Sequence, residues 1–174
     1  HAHGVVYLVR YADDFVICLE SGQDARELRR ALESRLTQFG LTLHPDKTRV
    51  IRFGRFARED RERRGQKKPE TFEFLGFLHI AAQDAQGRFQ LRRHTSRKKM
   101  RAKLARIKEV CEQRRHAPVE RQYAWLKRVL PGHDNYYAVP TNMESLRQFH
   151  AAVERTWHRS LQRRSQRGRW NERQ

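Results

Sequence analysis

Cysteine is scarce: only Cys18 and Cys111 occur, far apart. That count argues against a disulfide framework or a Cys-based zinc site. Cys18 lies in an apolar run and Cys111 on the apolar side of a helical pattern, so both thiols are expected to be buried, in a reducing, cytoplasmic setting. Long apolar runs are missing as well. None approaches the ~20 residues that a membrane-spanning helix needs. His1-Ala2-His3-Gly4 lacks the basic stretch and apolar core of a secretory signal. There is no Gly-rich phosphate loop of the P-loop type. No pair among the nine histidines combines metal-ligand spacing with a partner carboxylate, and His1 and His3 carry no expected role. An initiator Met is absent too, and the expectation is a piece of something longer. The last shortage is of acids: 20 Asp and Glu stand against 38 Lys and Arg, a formal net charge of +18. Such an excess predicts a polyanionic partner whose binding releases counterions and is salt-sensitive. The blander alternatives are a basic soluble surface and an anionic membrane surface. Apolar residues make up 37% of the 174, enough for a modest core in one domain or two small ones.

What is present falls into two halves. Val5 to Val9 and Phe15 to Leu19 are short runs rich in Val, Ile, Tyr and Phe, which read as two strands of a β-hairpin. Ser21-Gly22-Gln23-Asp24 opens a helix with a capping box. Ala25, Leu28, Leu32, Leu36 and Phe39 form its apolar face, and Gly40 ends it. Leu41-Leu43 and Thr48-Phe53 read as strands around a Pro45-Asp46-Lys47 turn. Residues 55–68 read as a charged loop or insertion. A second hairpin spans Thr71 to Leu91, turning at Asp84-Gly87. From Thr95 the pattern is helical. Met100, Leu104, Ile107 and Cys111 make one stripe. Tyr123, Leu126 and Leu130 make another after Pro118 and up to Pro131-Gly132, with 133–137 a loop or bend. Leu146, Phe149, Val153, Trp157 and Leu161 make a third behind a Thr141-x-x-Glu144 capping box. The fold class is therefore α+β: antiparallel sheet with a packed helix over 1–92, then an all-helical region with a basic tail over 93–174.

Asp13 and Asp14 sit between the first two strands. Hard cations such as Mg²⁺ take oxygen ligands and leave positions open for phosphates. Two such ions about 3.5–4 Å apart clamp the attacking and leaving oxygens of an in-line phosphoryl displacement. Asp is also a favoured turn residue, so a plain hairpin turn is the alternative. The longer string Val9-Arg10-Tyr11-Ala12-Asp13-Asp14-Phe15-Val16-Ile17 resembles the catalytic hairpin of reverse transcriptases, in detail that of the group II intron reverse transcriptase/maturase family. Gly40 to Thr48 resembles the motif that follows the palm helix in these polymerases, with Lys47 matching the Lys proposed to protonate pyrophosphate. An exposed hairpin Lys is the alternative. Phe74-Leu75-Gly76-Phe77 resembles the primer grip. Phe74 and Phe77 are expected in the core, and the backbone of Leu75-Gly76 in contact with the primer, Gly76 allowing close approach. The run Gly132 to Pro140 with Asn142, Leu146, Phe149, Trp157 and Arg164 to Arg167 resembles the family's thumb/maturase region.

The resemblance implies a partial polymerase palm followed by a helical thumb, and RNA-directed DNA polymerase activity with Mg²⁺, two ions in the intact enzyme. Asp13 and Asp14 would be metal ligands, with Tyr11 and Ala12 bordering primer terminus and nucleotide. Intron RNA, RNA/DNA duplex and deoxynucleoside triphosphates would be the partners, without a membrane. Insertion would take place at the nucleoid. Nine Lys or Arg and no acid lie between Arg92 and Lys108. Arg92, Arg93, Arg97, Lys98, Lys99 and Arg101 are expected to hold duplex phosphates, with Arg163, Arg164, Arg167 and Arg169 on intron RNA. Tyr136 and Tyr137 either stack on an unpaired base or plug the helix junction, one expected in each role. Trp157 is expected in the core. Polymerases of this type use a further carboxylate on an earlier strand, and none of the twelve residues before Asp13 is acidic. Alone the chain is expected to be inactive, needing a second copy or a missing N-terminal half. The rival reading is a non-catalytic intron-RNA-binding module that assists splicing. A third is a host-adopted reverse transcriptase of a defence or diversification system.

Overall fold

The structure is a computed structural model that describes residues 3–66 and 68–164. It is α+β, with antiparallel hairpins and, among the described residues, five helices. Strand β1 (Val6–Tyr11) pairs antiparallel with β2 (Asp14–Leu19), in register from Val6 opposite Leu19 to Tyr11 opposite Asp14. Helix α1 (Gly22–Thr37) follows, then the short α2 (Ala57–Glu62). Strands β3 (Thr71–Phe74), β4 (Phe77–Gln83) and β5 (Phe89–Thr95) form a three-stranded sheet in that order. Helices α3 (Arg97–Gln113), α4 (Val119–Tyr137) and α5 (Met143–Gln162) complete the described chain. Contacts divide it into two units. One holds residues up to Phe74 together with Ile80–Leu91, and the other holds Leu75–His79 with the chain from Arg92 onward.

In the first unit, α1 starts because the Ser21 hydroxyl accepts the N–H groups of Gln23 and Asp24. Asp24 does not return to the cap. Its carboxylate is buried and accepts the His3 N–H at 2.6 Å, and this bond above all holds its pKa below the usual value. His3, given no role from the sequence, thus ties the chain start to α1. The helix ends with Gly40 at φ +70°. Its N–H donates to the Thr37 carbonyl, and the Leu41 N–H donates to Leu36, the Schellman pattern. Leu28, Leu32 and Leu36 are half-buried; Phe39 is exposed under the Arg35 guanidinium.

Three local expectations fail in this unit. Leu41–Leu43 and Thr48–Phe53 are not strands. A strand needs a neighbouring ladder, and here the Arg52 N–H is taken by the Glu70 carboxylate, while Lys47 and Thr48 N–H groups close a turn on the His44 carbonyl. Residues 55–68 contain a helix rather than only loop. Glu59 and Asp60 complement its N-terminus, Arg58–Glu62 and Arg63–Glu59 pair across one turn, and Ala57 is buried. Cys18 is exposed, not buried, because neither face of its hairpin is fully covered.

The second unit holds the core: Ile107, Cys111, Leu126, Phe149 and Val153, with Met100, Leu104, Trp125, Leu130 and Trp157 against them. Burial raises the Cys111 thiol pKa. The three helices are also tied by polar bonds. The Gln122 amide donates to the carbonyls of Arg114, Arg115 and Ala117, satisfying groups that the end of α3 leaves open. Its oxygen accepts the Trp157 indole N–H at 2.9 Å, and the Ser160 hydroxyl donates to the Cys111 carbonyl.

The helix ends differ from expectation. Pro131-Gly132 does not stop α4, which runs through both to Tyr137. Proline inside a helix costs about 3 kcal/mol. The extra turn and a half buries His133 on Phe149 and brings Tyr136 and Tyr137 onto Phe77, and that packing outweighs the local penalty. Pro118 stands at the cap of α4, one residue before its first turn. The Thr141-x-x-Glu144 capping box does not form. Asn142 is the cap, Thr141 sits at φ +75° with its hydroxyl accepting the Arg93 N–H, and Glu144 is engaged by Arg147 and Gln148.

Candidate functional site

Strands β1 and β2 are joined by two residues, Ala12 and Asp13. Ala12 has φ +53°, as the first central residue of a tight hairpin turn requires when strand twist is to be preserved. The Arg10 Nε donates to the Ala12 carbonyl at 2.8 Å across this turn. Asp13 lies in the turn and Asp14 opens β2 opposite Tyr11. All four of Tyr11, Ala12, Asp13 and Asp14 are exposed. Neither carboxylate enters a hydrogen bond or ion pair with another described residue. Their oxygens are therefore solvated and open to a cation.

Lys47 is exposed at the end of the 45–47 turn and makes no ion pair with Asp13 or Asp14. Among the described residues no group of three or more His, Cys, Asp and Glu is placed to hold a metal ion. The donor set thus fits a hard divalent cation in kind, through carboxylate oxygens, but not in number for a two-ion centre. No step through a second ion follows from these residues.

The second cluster lies in the helical unit. Leu75 at φ +49° and Gly76 at φ +76° form the β3–β4 turn, both in the left-handed region of a type I′ turn. The Tyr136 hydroxyl donates to the Leu75 carbonyl at 2.8 Å, and the Ser96 N–H donates to the Gly76 carbonyl at 2.8 Å. A Cβ on Gly76 would meet the Tyr137 hydroxyl at 2.8 Å. The close approach that glycine permits is therefore made by Tyr137, not left to a nucleic-acid backbone, and both turn carbonyls are already occupied. Tyr136 stacks on Phe77, Tyr137 packs edge-on to it, and His133 lies 3.7 Å from the Phe149 ring centre. Burial raises the Tyr137 phenol pKa. Both tyrosines therefore close the junction; Tyr136 keeps half its surface exposed. Phe77 is buried as expected, and Trp157 is partly buried against the core.

Asn142 stitches the same junction. Its side chain is fully buried. Its oxygen accepts the Thr95 N–H, and its nitrogen donates to the Thr95 hydroxyl and the Tyr137 carbonyl. Nothing local in the sequence marks this role, because its partner Thr95 lies 47 residues away.

Of the basic residues, Arg97, Lys98, Lys99 and Arg101 are exposed on the first turns of α3. No acid lies in that first turn, where cations oppose the helix dipole by about 0.3–1 kcal/mol each. Arg92 is exposed on β5. Arg93 is mostly covered and its Nε is buried without a partner. Arg106 and Lys108 pair with Glu109 and Glu112. Arg163 is exposed, whereas the Arg164 guanidinium donates to the carbonyls of Arg115 and Ala117 in the α3–α4 connection. Arg167 and Arg169 lie outside the described residues.

Exposed hard oxygen donors on a tight antiparallel turn are what a protein acting on phosphates presents to a divalent cation. Residues 1–79 match the family described as reverse transcriptase (RNA-dependent DNA polymerase). This part of the chain, paired acids included, is similar to reverse transcriptases. At the level of that family the activity is RNA-directed DNA polymerisation on nucleic-acid templates with deoxynucleoside triphosphates and divalent metal. No curated protein matches the sequence.

Proposed function

We propose that the chain is the palm hairpin and thumb region of a group II intron reverse transcriptase/maturase. The observation that carries the reading is the adjacent, exposed and unpaired Asp13 and Asp14 on a tight turn inside the segment that matches reverse transcriptases. Asp13 and Asp14 would supply carboxylate oxygens to Mg²⁺, with further ligands from a preceding segment or a partner chain. Bound there, the metal would lower the barrier to attack of a primer 3′-hydroxyl on a nucleotide α-phosphate. Tyr11 and Ala12 border the turn and leave room for the primer end. Lys47 is assigned to the departing pyrophosphate as a proton donor.

In the full-length protein, Asp13→Ala is expected to abolish primer extension on an RNA template while leaving RNA affinity unchanged. Extension that survives the substitution overturns the assignment.

A second reading, an RNA-binding splicing helper without polymerase activity, is favoured by the first turn of α3. Arg97, Lys98, Lys99 and Arg101 are exposed and set against the helix dipole, which an incoming phosphate would relieve. Both readings require phosphate binding here. Replacing the four by Ala is expected to lower the slope of log affinity against log salt for structured RNA by about three. An unchanged slope removes α3 from the interface.

A further inference from the structure

We infer that Arg10 is a positioning residue for the paired carboxylates, an inference that rests on the reading of Asp13 and Asp14 as cation ligands. Its side chain reaches over the hairpin end and its Nε donates to the Ala12 carbonyl at 2.8 Å. Ala12 is in the left-handed region, φ +53°, where a residue with a Cβ is disfavoured. Such a conformation persists only when its surroundings hold it.

Among the described residues, the other two non-glycine residues at positive φ are likewise held by a hydrogen bond. The Leu75 carbonyl is held by the Tyr136 hydroxyl, and the Thr141 hydroxyl is held by the Arg93 N–H. Those two lie in a packed unit. Ala12 lies in an exposed hairpin where, among the described residues, the one side-chain hydrogen bond to its turn is that from Arg10, beside the backbone pairing of Tyr11 with Asp14.

The bond also directs the arginine's Nε to the backbone rather than to a carboxylate. A cation this close in sequence to two acids would ordinarily pair with one of them. Arg10 makes no ion pair with Asp13 or Asp14. Its Nε is engaged by the carbonyl, and neither carboxylate is paired with a described residue. Arg10 thus fixes the backbone from which Asp13 and Asp14 project without neutralising either.

Charge and position predict opposite signs, which makes the inference testable. If Arg10 acts only as a nearby positive charge, removing it strengthens divalent-cation binding. If it positions the turn, removing it weakens binding. Mn²⁺ affinity of the whole chain, read by electron paramagnetic resonance, is expected to fall roughly two- to tenfold in Arg10→Ala, the range of one hydrogen bond. Arg10→Lys keeps the charge but not the Nε geometry and is expected to fall likewise. Ala12→Gly, whose backbone takes positive φ freely, is expected to shrink the Arg10→Ala effect when the two are combined. Tighter or unchanged Mn²⁺ binding in Arg10→Ala overturns the inference. The control is Asp13→Asn with Asp14→Asn. If that double variant binds Mn²⁺ as well as the unaltered chain, or the unaltered chain binds none, the cation-ligand reading itself fails. Loss of binding in the control with no loss in Arg10→Ala sinks only the role of Arg10. Amide exchange along β1 and β2 reports whether each variant retains the hairpin.

Discussion

The β1–β2 hairpin and the helical unit use the same kinds of apolar residue in opposite ways. In the hairpin, Val6, Tyr7, Leu8, Val9 and Tyr11 are all exposed, Leu8 by 62%. In the helical unit Ile107, Phe149 and Val153 are sealed, Phe149 completely. At about 25 cal/mol per Å² of buried apolar surface, only the second arrangement draws much stability from its side chains. A two-stranded hairpin is marginal by itself. The carboxylates thus stand on the part of the chain with the least packing, and the basic helix on the part with the most.

The comparison is easiest to break at Phe149. Phe149→Ala removes a fully buried ring that stacks on His133 and is expected to destabilise the helical unit by about 3–5 kcal/mol. Urea unfolding followed by helix signal checks this; a loss under about 1 kcal/mol would mean the core is not closed as described.

Next comes Asn142→Ala, which strands the buried Thr95 N–H and a partner on the Tyr137 carbonyl. A cost of about 2–4 kcal/mol follows from two such losses, measured in the same way and accompanied by faster amide exchange at Thr95.

A smaller, pH-dependent effect is expected from His133. Burial lowers its pKa below the usual 6.5, against the pull of Asp134, and its Nε2 has no partner among the described residues. The unfolded chain therefore takes up a proton before the folded one as pH falls. Stability is full above about pH 6.5 and declines below it. The urea midpoint should drop between pH 7 and 5, and His133→Phe should flatten that drop. A midpoint that rises on acidification would contradict the burial.

The smallest effect is reserved for the hairpin. Leu8→Thr, at an exposed strand position, is expected to change stability by no more than about 0.5 kcal/mol. A change as large as that of Phe149→Ala would show that the hairpin is covered in solution, for instance by a second copy.

Much of this was readable beforehand where the signal is local. The hairpin, the Ser21 cap, the Gly40 stop, the Asp84 turn and most of the three apolar stripes at helical spacing depend on residues within a few positions of one another; Tyr123, read into the second stripe, is exposed instead. Readings failed where a distant partner decides. Pro131-Gly132 reads as a stop, but His133, Tyr136 and Tyr137 find Phe149 and Phe77. Thr141 reads as a cap, but Arg93 claims its hydroxyl. Thr48–Phe53 reads as a strand, but Glu70 takes the Arg52 N–H.

The candidate site divides in the same manner. Asp13 and Asp14 on a two-residue turn were legible, since strand periodicity and loop length place them there. The bond from Arg10 to Ala12 was not, nor was the filling of the Gly76 approach by Tyr137 or the bonding of Arg164 to the α3–α4 connection.

By itself the sequence determined the class of the fold, the basic character of its surface and the exposed pair of acids, because hydrophobic period, turn length and net charge act over short range or as sums. Only the tertiary structure decided which polar groups are already spent on the protein. A donor's partner is set by which segments meet in space, and that follows from packing of the whole chain.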